Sequence, residues 1–202
     1  MNFSIVIPCF NEEKNISELV KEIQKINFIE DIEIILVNNG SSDMTKDILE
    51  KYTQTFSFIK VVNLEKNMGY GGGILEGLKN ANGDVIGWTH ADLQTHPSDI
   101  LSGIKFFTGK DKNLYVKGRR YGRKLLDRFF TVMMSIFEIF LLKKILIDIN
   151  AQPTLFHKDF FIDWENPPKD FSLDLYSYYL AKKKGYKIKR FPVYFGPRLY
   201  GH

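Results

Sequence analysis

Short apolar runs alternate with helix-spaced stretches over residues 1–97, and that alternation leaves few folds open. Phe3-Ser-Ile-Val-Ile-Pro reads as a buried strand. It leads into Asn11-Glu-Glu-Lys-Asn-Ile, where Asn11 can cap a helix whose apolar positions are Ile16, Leu19, Val20, Ile23 and Ile26. Asp31-Ile-Glu-Ile-Ile-Leu-Val is a second strand, Asn38 to Asp43 a turn, and Thr45 to Tyr52 a second helix. Phe58-Ile-Lys-Val-Val-Asn is a third strand. The turn Gly69-Tyr-Gly-Gly-Gly then opens a helix through Leu78, and Gly83-Asp84 leads to a fourth strand ending near Asp92. Strands alternating with helices bury both faces of a mostly parallel sheet through right-handed crossovers. The expected class is α/β, with a Rossmann-like first half.

Beyond Pro97 the pattern loosens. It predicts a helix near Ser98 to Phe107, a strand at Leu114 to Gly118, a basic loop, and a long helix from about Leu125. Asp148-Ile-Asn-Ala-Gln-Pro follows, then a helix over Leu173 to Lys184 and a last strand from Tyr186 to Val193. With no internal repeat or linker, 202 residues at 44% hydrophobic content read as one domain with a full core. The basic residues cluster, Lys117, Arg119, Arg120, Arg123, Lys124 and Arg128 in one run and Lys182 to Arg190 in another, and such runs attract phosphates. They carry no aromatic interleaving of the kind that marks nucleic-acid binding. The lone Cys9 excludes an internal disulfide, and no leader sequence precedes the first strand, so a cytoplasmic protein is expected. Phe129 to Leu142 is the most apolar window, too short to span a bilayer, and reads either as a core helix or as one lying on a membrane beside basic residues.

The chemistry concentrates at Trp88-Thr-His-Ala-Asp-Leu-Gln, where a strand end delivers a carboxylate and an amide. Strand carboxyl ends are where α/β sheets bind ligands. Asp92 and Gln94 are two apart and share a face of an extended chain; two hard oxygens there suit Mg²⁺ or Mn²⁺ carrying a diphosphate. The bland alternative is that Asp92 caps the next helix.

The order of these segments resembles the family-2 glycosyltransferases of GT-A fold, nearest the polyprenyl-phosphate branch typified by dolichol-phosphate mannose synthase. Pro8-Cys-Phe10-Asn11-Glu12 resembles the family's opening Pro-x-(Tyr/Phe)-Asn-Glu, and Asn38-Asn39-Gly40-Ser-Ser-Asp its Asp-Asp-Gly-Ser-x-Asp with both leading acids replaced. Asn67-Met-Gly69-Tyr-Gly71 resembles the Asn-x-Gly-x-(Gly/Ala) turn, and His90-Ala91-Asp92-Leu-Gln94 the Asp-Ala-Asp-Leu-Gln segment with its first Asp changed. Lys117-Gly-Arg119-Arg-Tyr resembles Ser-Gly-(Thr/Ser)-Arg-(Tyr/Phe), and Arg198-Leu-Tyr-Gly the closing Arg-x-x-Gly.

The resemblance implies a single GT-A domain, with residues 1–97 serving a nucleotide-diphospho-sugar donor and 98–202 a polyprenyl-phosphate or glycan acceptor. It implies a metal-dependent, inverting hexosyltransferase using Mg²⁺ or Mn²⁺. Donor-binding residues would be Pro8, Phe10, Asn11, Glu12, Asn39, Gly40, Asn67, Gly69, Gly71, His90 and Ala91; metal ligands Asp92, Gln94 and His90; catalytic residues Asp92, Asp174, Arg119 and Arg198. Asn39 offers one donor and one acceptor where the family offers a carboxylate, which fits uracil or cytosine better than guanine and favours a UDP-sugar over a CMP-linked donor, unless it only stabilises its turn. His90 either ligates, with a preference for Mn²⁺, or contacts ribose or phosphate instead, or is a bystander. If it ligates, activity falls as pH drops through the histidine range.

A phosphate acceptor needs no strong base and is positioned by arginines, Arg119, Arg120, Arg123 or Arg198. A sugar hydroxyl needs a carboxylate, for which Asp174 in Phe171-Ser-Leu-Asp matches the family's Phe-x-x-Glu. The competing reading is a catalytically inactive nucleotide-sugar-binding domain, since three family acids are missing. A dinucleotide oxidoreductase fails because Ile74 occupies the third glycine position and the motif follows the third strand. Membrane contact would be peripheral. Related chains continue past Arg-x-x-Gly-x-Ser, so this one is either shortened at Gly201-His202 or completed by another subunit, such as a second copy.

Overall fold

A computed structural model describes residues 1–27, 32–109, 111–122 and 143–198. Seven strands form one sheet in the order β3-β2-β1-β4-β6-β5-β7. They are β1 Phe3–Cys9, β2 Ile32–Asn39, β3 Ile59–Leu64, β4 Val85–Trp88, β5 Leu114–Tyr121, β6 Thr154–His157 and β7 Lys187–Tyr194. All pairings are parallel except those of β6, which runs against β4 and β5. The helices are α1 Glu13–Asn27, α2 Thr45–Thr55, α3 Gly69–Lys79, α4 Asp99–Ile104, α5 Lys158–Ile162 and α6 Leu173–Lys183.

Strand periodicity sorts the core into two layers. Ile5, Ile7 and Cys9 of β1 and Ile34 and Leu36 of β2 face one layer, with Ile16, Leu19, Val20 and Ile23 of α1 and Leu49 of α2. Val6 of β1 and Ile35 and Val37 of β2 face the other, with Ile74 and Leu78 of α3. Both faces are covered, so these strands read as continuous apolar runs. The second layer continues into aromatic packing: Tyr115 lies parallel to Phe156 and Tyr178, and Phe156 meets Phe160 edge-on at 5.1 Å. Burial raises the Cys9 thiol, which makes it an inert core residue.

The first half follows the sequence expectation, with three local differences. β4 ends at Trp88 rather than near Asp92, and the chain bends through 91–95 with Leu93 at φ 58°, so Asp92 and Gln94 are not on an extended strand; the Gln94 amide instead donates to Asp92. Asn11 does not cap α1. It sits in the left-handed region at φ 55° and its side-chain oxygen accepts from the Ser42 amide at 2.9 Å, while the Glu12 carbonyl takes the first helical amides of Asn15 and Ile16. β2 also runs on through Asn38 and Asn39, because β3 continues beside it and pairs Asn38 with Asn63.

The second half departs more. The basic loop is in part strand: β5 extends to Tyr121 because β7 pairs with it along its whole length. β6 and α5 were not expected; four residues give too short a period to read, and pairing between β4 and β5 makes the strand. The helix anticipated from about Leu125 and the apolar window Phe129 to Leu142 lie outside the described residues.

α3 rides close on β1 because Gly77 has no side chain; a Cβ there would press against Val6, and 2.9 Å from a Val37 methyl. Gly77→Ala should therefore lose about 1–3 kcal/mol to overpacking, more than the helix propensity it gains, read as a lower urea midpoint at unchanged m.

Candidate functional site

The strand order reverses between β1 and β4, which leave the sheet side by side in the same direction. Loops leaving such a pair diverge to opposite sides and open a crevice. Here it is a cleft of about 530 Å³, lined from the first half of the chain by Pro8, Phe10, Glu12, Asn39, Asn67, Gly69 and Tyr70, from the segment after β4 by His90, Ala91, Asp92 and Gln94, and from the second half by Arg120, Asn150, Phe171, Asp174, Phe195 and Arg198.

In the first half, backbone amides and short polar side chains stitch the loops together. Asn39 is buried; its amide nitrogen donates to Gly69 O at 3.0 Å and Asn67 Oδ1 at 3.3 Å, and its oxygen accepts from Met68 N at 3.0 Å. Both donors are spent on the turn, and one lone pair of the oxygen remains. Asn38 is likewise consumed by Asn63 and Ser41. Gly69, at φ 80°, lies under the backbone of Lys169, where a Cβ would come 2.5 Å from the carbonyl oxygen. That carbonyl accepts from Gly72 N at 2.9 Å. The glycines thus admit the segment 168–170 against α3.

After β4, Asp92 Oδ1 accepts from Gln94 N at 3.1 Å and Oδ2 receives Arg198 at 3.2 Å. Gln94 holds Gly196 in turn, through its side-chain nitrogen at 3.3 Å and its carbonyl at 2.8 Å, so the segment carrying Arg198 is docked beside Asp92. Burial raises Glu12, helped by the Asp92 charge nearby and opposed by the Asn15 hydrogen bond and Arg198. Burial lowers His90 against the pull of Asp92 and Asp174, so the imidazole is neutral at pH 7. Its ring lies 5.7 Å from that of Tyr70. A carboxylate, an amide and a neutral imidazole on one wall are a donor set that a divalent cation accepts, Mn²⁺ more readily than Mg²⁺. Among the described residues no three His, Cys, Asp or Glu side chains form a cage, so a cation here would take further oxygens from its ligand.

In the second half, Arg120 is clamped by Asp148, with Nε at 2.7 Å and its own backbone amide at 2.7 Å, and its guanidinium covers the Phe195 ring at 5.1 Å. Asp174 is 2% exposed and pairs with Lys117, 0% exposed, at 3.1 Å. Its second oxygen accepts from the Tyr70 hydroxyl at 2.9 Å. The Tyr70 ring stacks on exposed Phe171 at 4.8 Å.

The structure thus brings Pro8, Phe10, Glu12, Asn39, Asn67, Gly69, His90, Ala91, Asp92, Gln94, Asp174 and Arg198 to one cleft. Three expected donor residues do not line it: Asn11 and Gly40 shape the β1 and β2 loops, and Gly71 makes room for the backbone of Pro168 and Asp170. Arg119 is exposed and outside the cleft, and Arg120 is the arginine of β5 that reaches it. Arg123 lies outside the described residues. Lys117 is no phosphate attractor but a buried counterion. Its signal was legible, since the motif it resembles has a serine there; that Asp174 would face it was not, because the two are distant in sequence. Tyr70, Asn150, Phe171 and Phe195 were missed as lining residues; Tyr70 lay inside the glycine turn, Phe171 inside the motif that pointed to Asp174, and the other two carried no pattern.

Comparison with known proteins agrees with this fold. The sequence model described as "Glycosyl transferase family 2" matches residues 4–181. The chain is 32% identical over 127 residues to a dodecaprenyl-phosphate galacturonate synthase of Rhizobium johnstonii, covering 61% of this chain and 37% of that protein. It is 30% identical over 142 residues to a dolichol-phosphate mannosyltransferase of Pyrococcus furiosus, covering 63% and 39%. It therefore spans well under half the length of these curated relatives. Among solved structures it resembles the glucosyl-3-phosphoglycerate synthase of Mycobacterium tuberculosis with Mn²⁺, UDP and glucosyl-3-phosphoglycerate, at TM-score 0.76 and 16% identity over 100% of this chain and 73% of that one. It also resembles a mannosyltransferase from Pyrobaculum calidifontis with GDP-Man and Mn²⁺, at TM-score 0.74 and 16% identity over 99% and 58%. These two likenesses establish the GT-A fold.

Two outcomes follow from the cleft. Asn39→Asp puts a carboxylate beside two acceptor oxygens and should cost about 1–3 kcal/mol in urea denaturation. In metal-free protein, an NMR titration should find His90 half-protonated below its ordinary value of 6.5. Because the folded value is the lower one, this residue's contribution to stability is present above pH 6.5 and is lost as pH falls toward the folded value.

Proposed function

The chain belongs to glycosyl transferase family 2, and we propose that it moves a sugar from a nucleoside diphosphate, UDP by preference, to the phosphate of a polyprenyl phosphate. The observation that carries this reading is the cleft at the β1/β4 switch point, where Asp92, Gln94, His90 and Arg198 form one wall between a loop-built pocket and a second, arginine-bearing side. Its curated relatives, by their names, act on dodecaprenyl and dolichol phosphates.

The remaining lone pair of Asn39 can accept one N–H. Uracil presents one such donor on its pairing edge and guanine two, so the single acceptor matches uracil. Asp92, Gln94 and His90 are the residues that would hold a divalent cation, Mn²⁺ or Mg²⁺, whose chemistry when bound is to neutralise the departing diphosphate. Arg198 adds a guanidinium on the same wall, and the docking of Gly196 on Gln94 sets its position. Arg120, held by Asp148 and backed by Phe195, presents a fixed fork to an acceptor phosphate. The phosphate oxygen is anionic at pH 7, so orientation is the main demand on this side. On this reading residues 1–97 serve the donor and 98–202 the acceptor, and a lipid acceptor brings the protein to a membrane surface. Among the described residues no helix is long and apolar enough to cross one.

Calorimetric titration of UDP, GDP and CMP with Mn²⁺, Mg²⁺ or EDTA tests the donor side. UDP should bind tightest, and EDTA or Asp92→Ala should weaken it by about tenfold or more. GDP binding better than UDP would sink the base assignment. UDP binding without transfer from any UDP-hexose to a short-chain polyprenyl phosphate would make this a binding domain of the same fold.

A further inference from the structure

Lys117 is the charge that the transfer chemistry above does not use. It leaves β5 fully buried, and its ammonium donates to Thr154 Oγ1 of β6 at 2.7 Å and to Asp174 Oδ1 of α6 at 3.1 Å. Asp174 Oδ2 accepts from the Tyr70 hydroxyl of α3, which itself accepts from the buried Gln152 amide just before β6. Both carboxylate oxygens are therefore occupied by donors, one of them an ammonium. With both oxygens engaged by the fold, neither is turned toward a substrate hydroxyl. The same knot ties the acceptor-side elements β5, β6 and α6 to α3, the helix that follows the donor loops. Tyr70 stands between His90 at 5.7 Å and Phe171 at 4.8 Å, so its ring sets the distance between the donor wall and the exposed aromatic at the cleft mouth. Burial pulls Lys117 down to about 8, against the attraction of Asp174.

We propose that Lys117 is a positioning residue, holding Asp174 as the anchor of the Tyr70 hydroxyl so that the Tyr70–Phe171 stack forms a fixed wall for the acceptor, and that Asp174 is not a base. The inference deepens the transferase reading, and its acceptor statement rests on that reading. On this reading Asp174 takes no proton from the acceptor, whose phosphate oxygen attacks the sugar already ionised as the nucleoside diphosphate departs.

The test compares the wild type with Asp174→Asn, Lys117→Met, Tyr70→Phe and the double variant Lys117→Met/Asp174→Asn. In protein labelled with ¹³C in the tyrosine rings, Lys117→Met should displace the Tyr70 signal, and the double variant, which restores charge balance and keeps an acceptor for the hydroxyl, should return it. A Tyr70 signal unmoved in Lys117→Met overturns the proposal whether or not the protein transfers sugar. In transfer from UDP-hexoses to a short-chain polyprenyl phosphate, Lys117→Met and Tyr70→Phe should each raise the acceptor KM about tenfold with kcat little changed, and the double variant should recover to within about threefold. Asp174→Asn and the double variant both losing about a thousandfold in kcat at unchanged KM would make Asp174 the base and overturn the proposal. Tyr70→Phe keeps both buried charges, so it reads the wall even if Lys117→Met does not fold; an unchanged acceptor KM in it is also overturning. UDP binding measured on the same preparations separates the two readings: its absence in the wild type fails the donor site, while the Tyr70 signal still decides the role of Lys117.

Discussion

Everything in this molecule hangs on β1, which is hydrogen-bonded in parallel on both edges, to β2 on one side and β4 on the other. Parallel neighbours cannot be joined by tight turns, so each connection must cross a face of the sheet as a helix. The chain builds outward from β1 first through β2 and β3 and then, after α3, through β4 on the other edge. The loops at the carboxyl ends of β1 and β4 are thereby forced apart. No side chain needs to open the cleft, because the winding order has done so.

What the side chains do is prevent that opening from closing on itself or wandering. The donor-side loops are stitched by short polar groups, Asn11 to Ser42, Asn38 to Asn63, Asn39 to Gly69 and Met68, each bond satisfying a backbone or amide group that the loop would otherwise leave unpaired. The far side is held by charge: Asp148 on Arg120 and Arg190, and Lys117 on Asp174. A buried pair of this kind contributes little net stability, but removing one partner strands the other. Its value lies in geometry, since an ion pair with full hydrogen bonding tolerates few arrangements.

Asn39 illustrates how a motif residue can line a cleft while most of its hydrogen bonds serve its own loop. Its type and position pointed to the nucleotide base, and it does line the cleft. The hydrogens that would have read the base instead close the turn between β3 and α3. Asn11, Gly40 and Gly71 show the related case of motif residues that shape the site from outside it. Local pattern marks such residues because the loop requires them, and loops require them for reasons of backbone conformation as often as for contact with a ligand.

By itself the sequence determined the α/β class, the first four strands and three helices, and the placing of Asp92 and His90 at a strand end, because these follow from periodicities of two and 3.6 residues and from turn chemistry within a short window. Only the tertiary structure decided that Arg120 rather than Arg119 enters the cleft, that β6 exists, and that Lys117, Tyr70 and Asp174 are one unit. Those outcomes depend on which strands lie side by side and which helix covers them. A lysine on a strand carries the same local signal whether it faces solvent or, as here, a carboxylate far along the chain, and only the packing of β5 against α6 distinguishes the two.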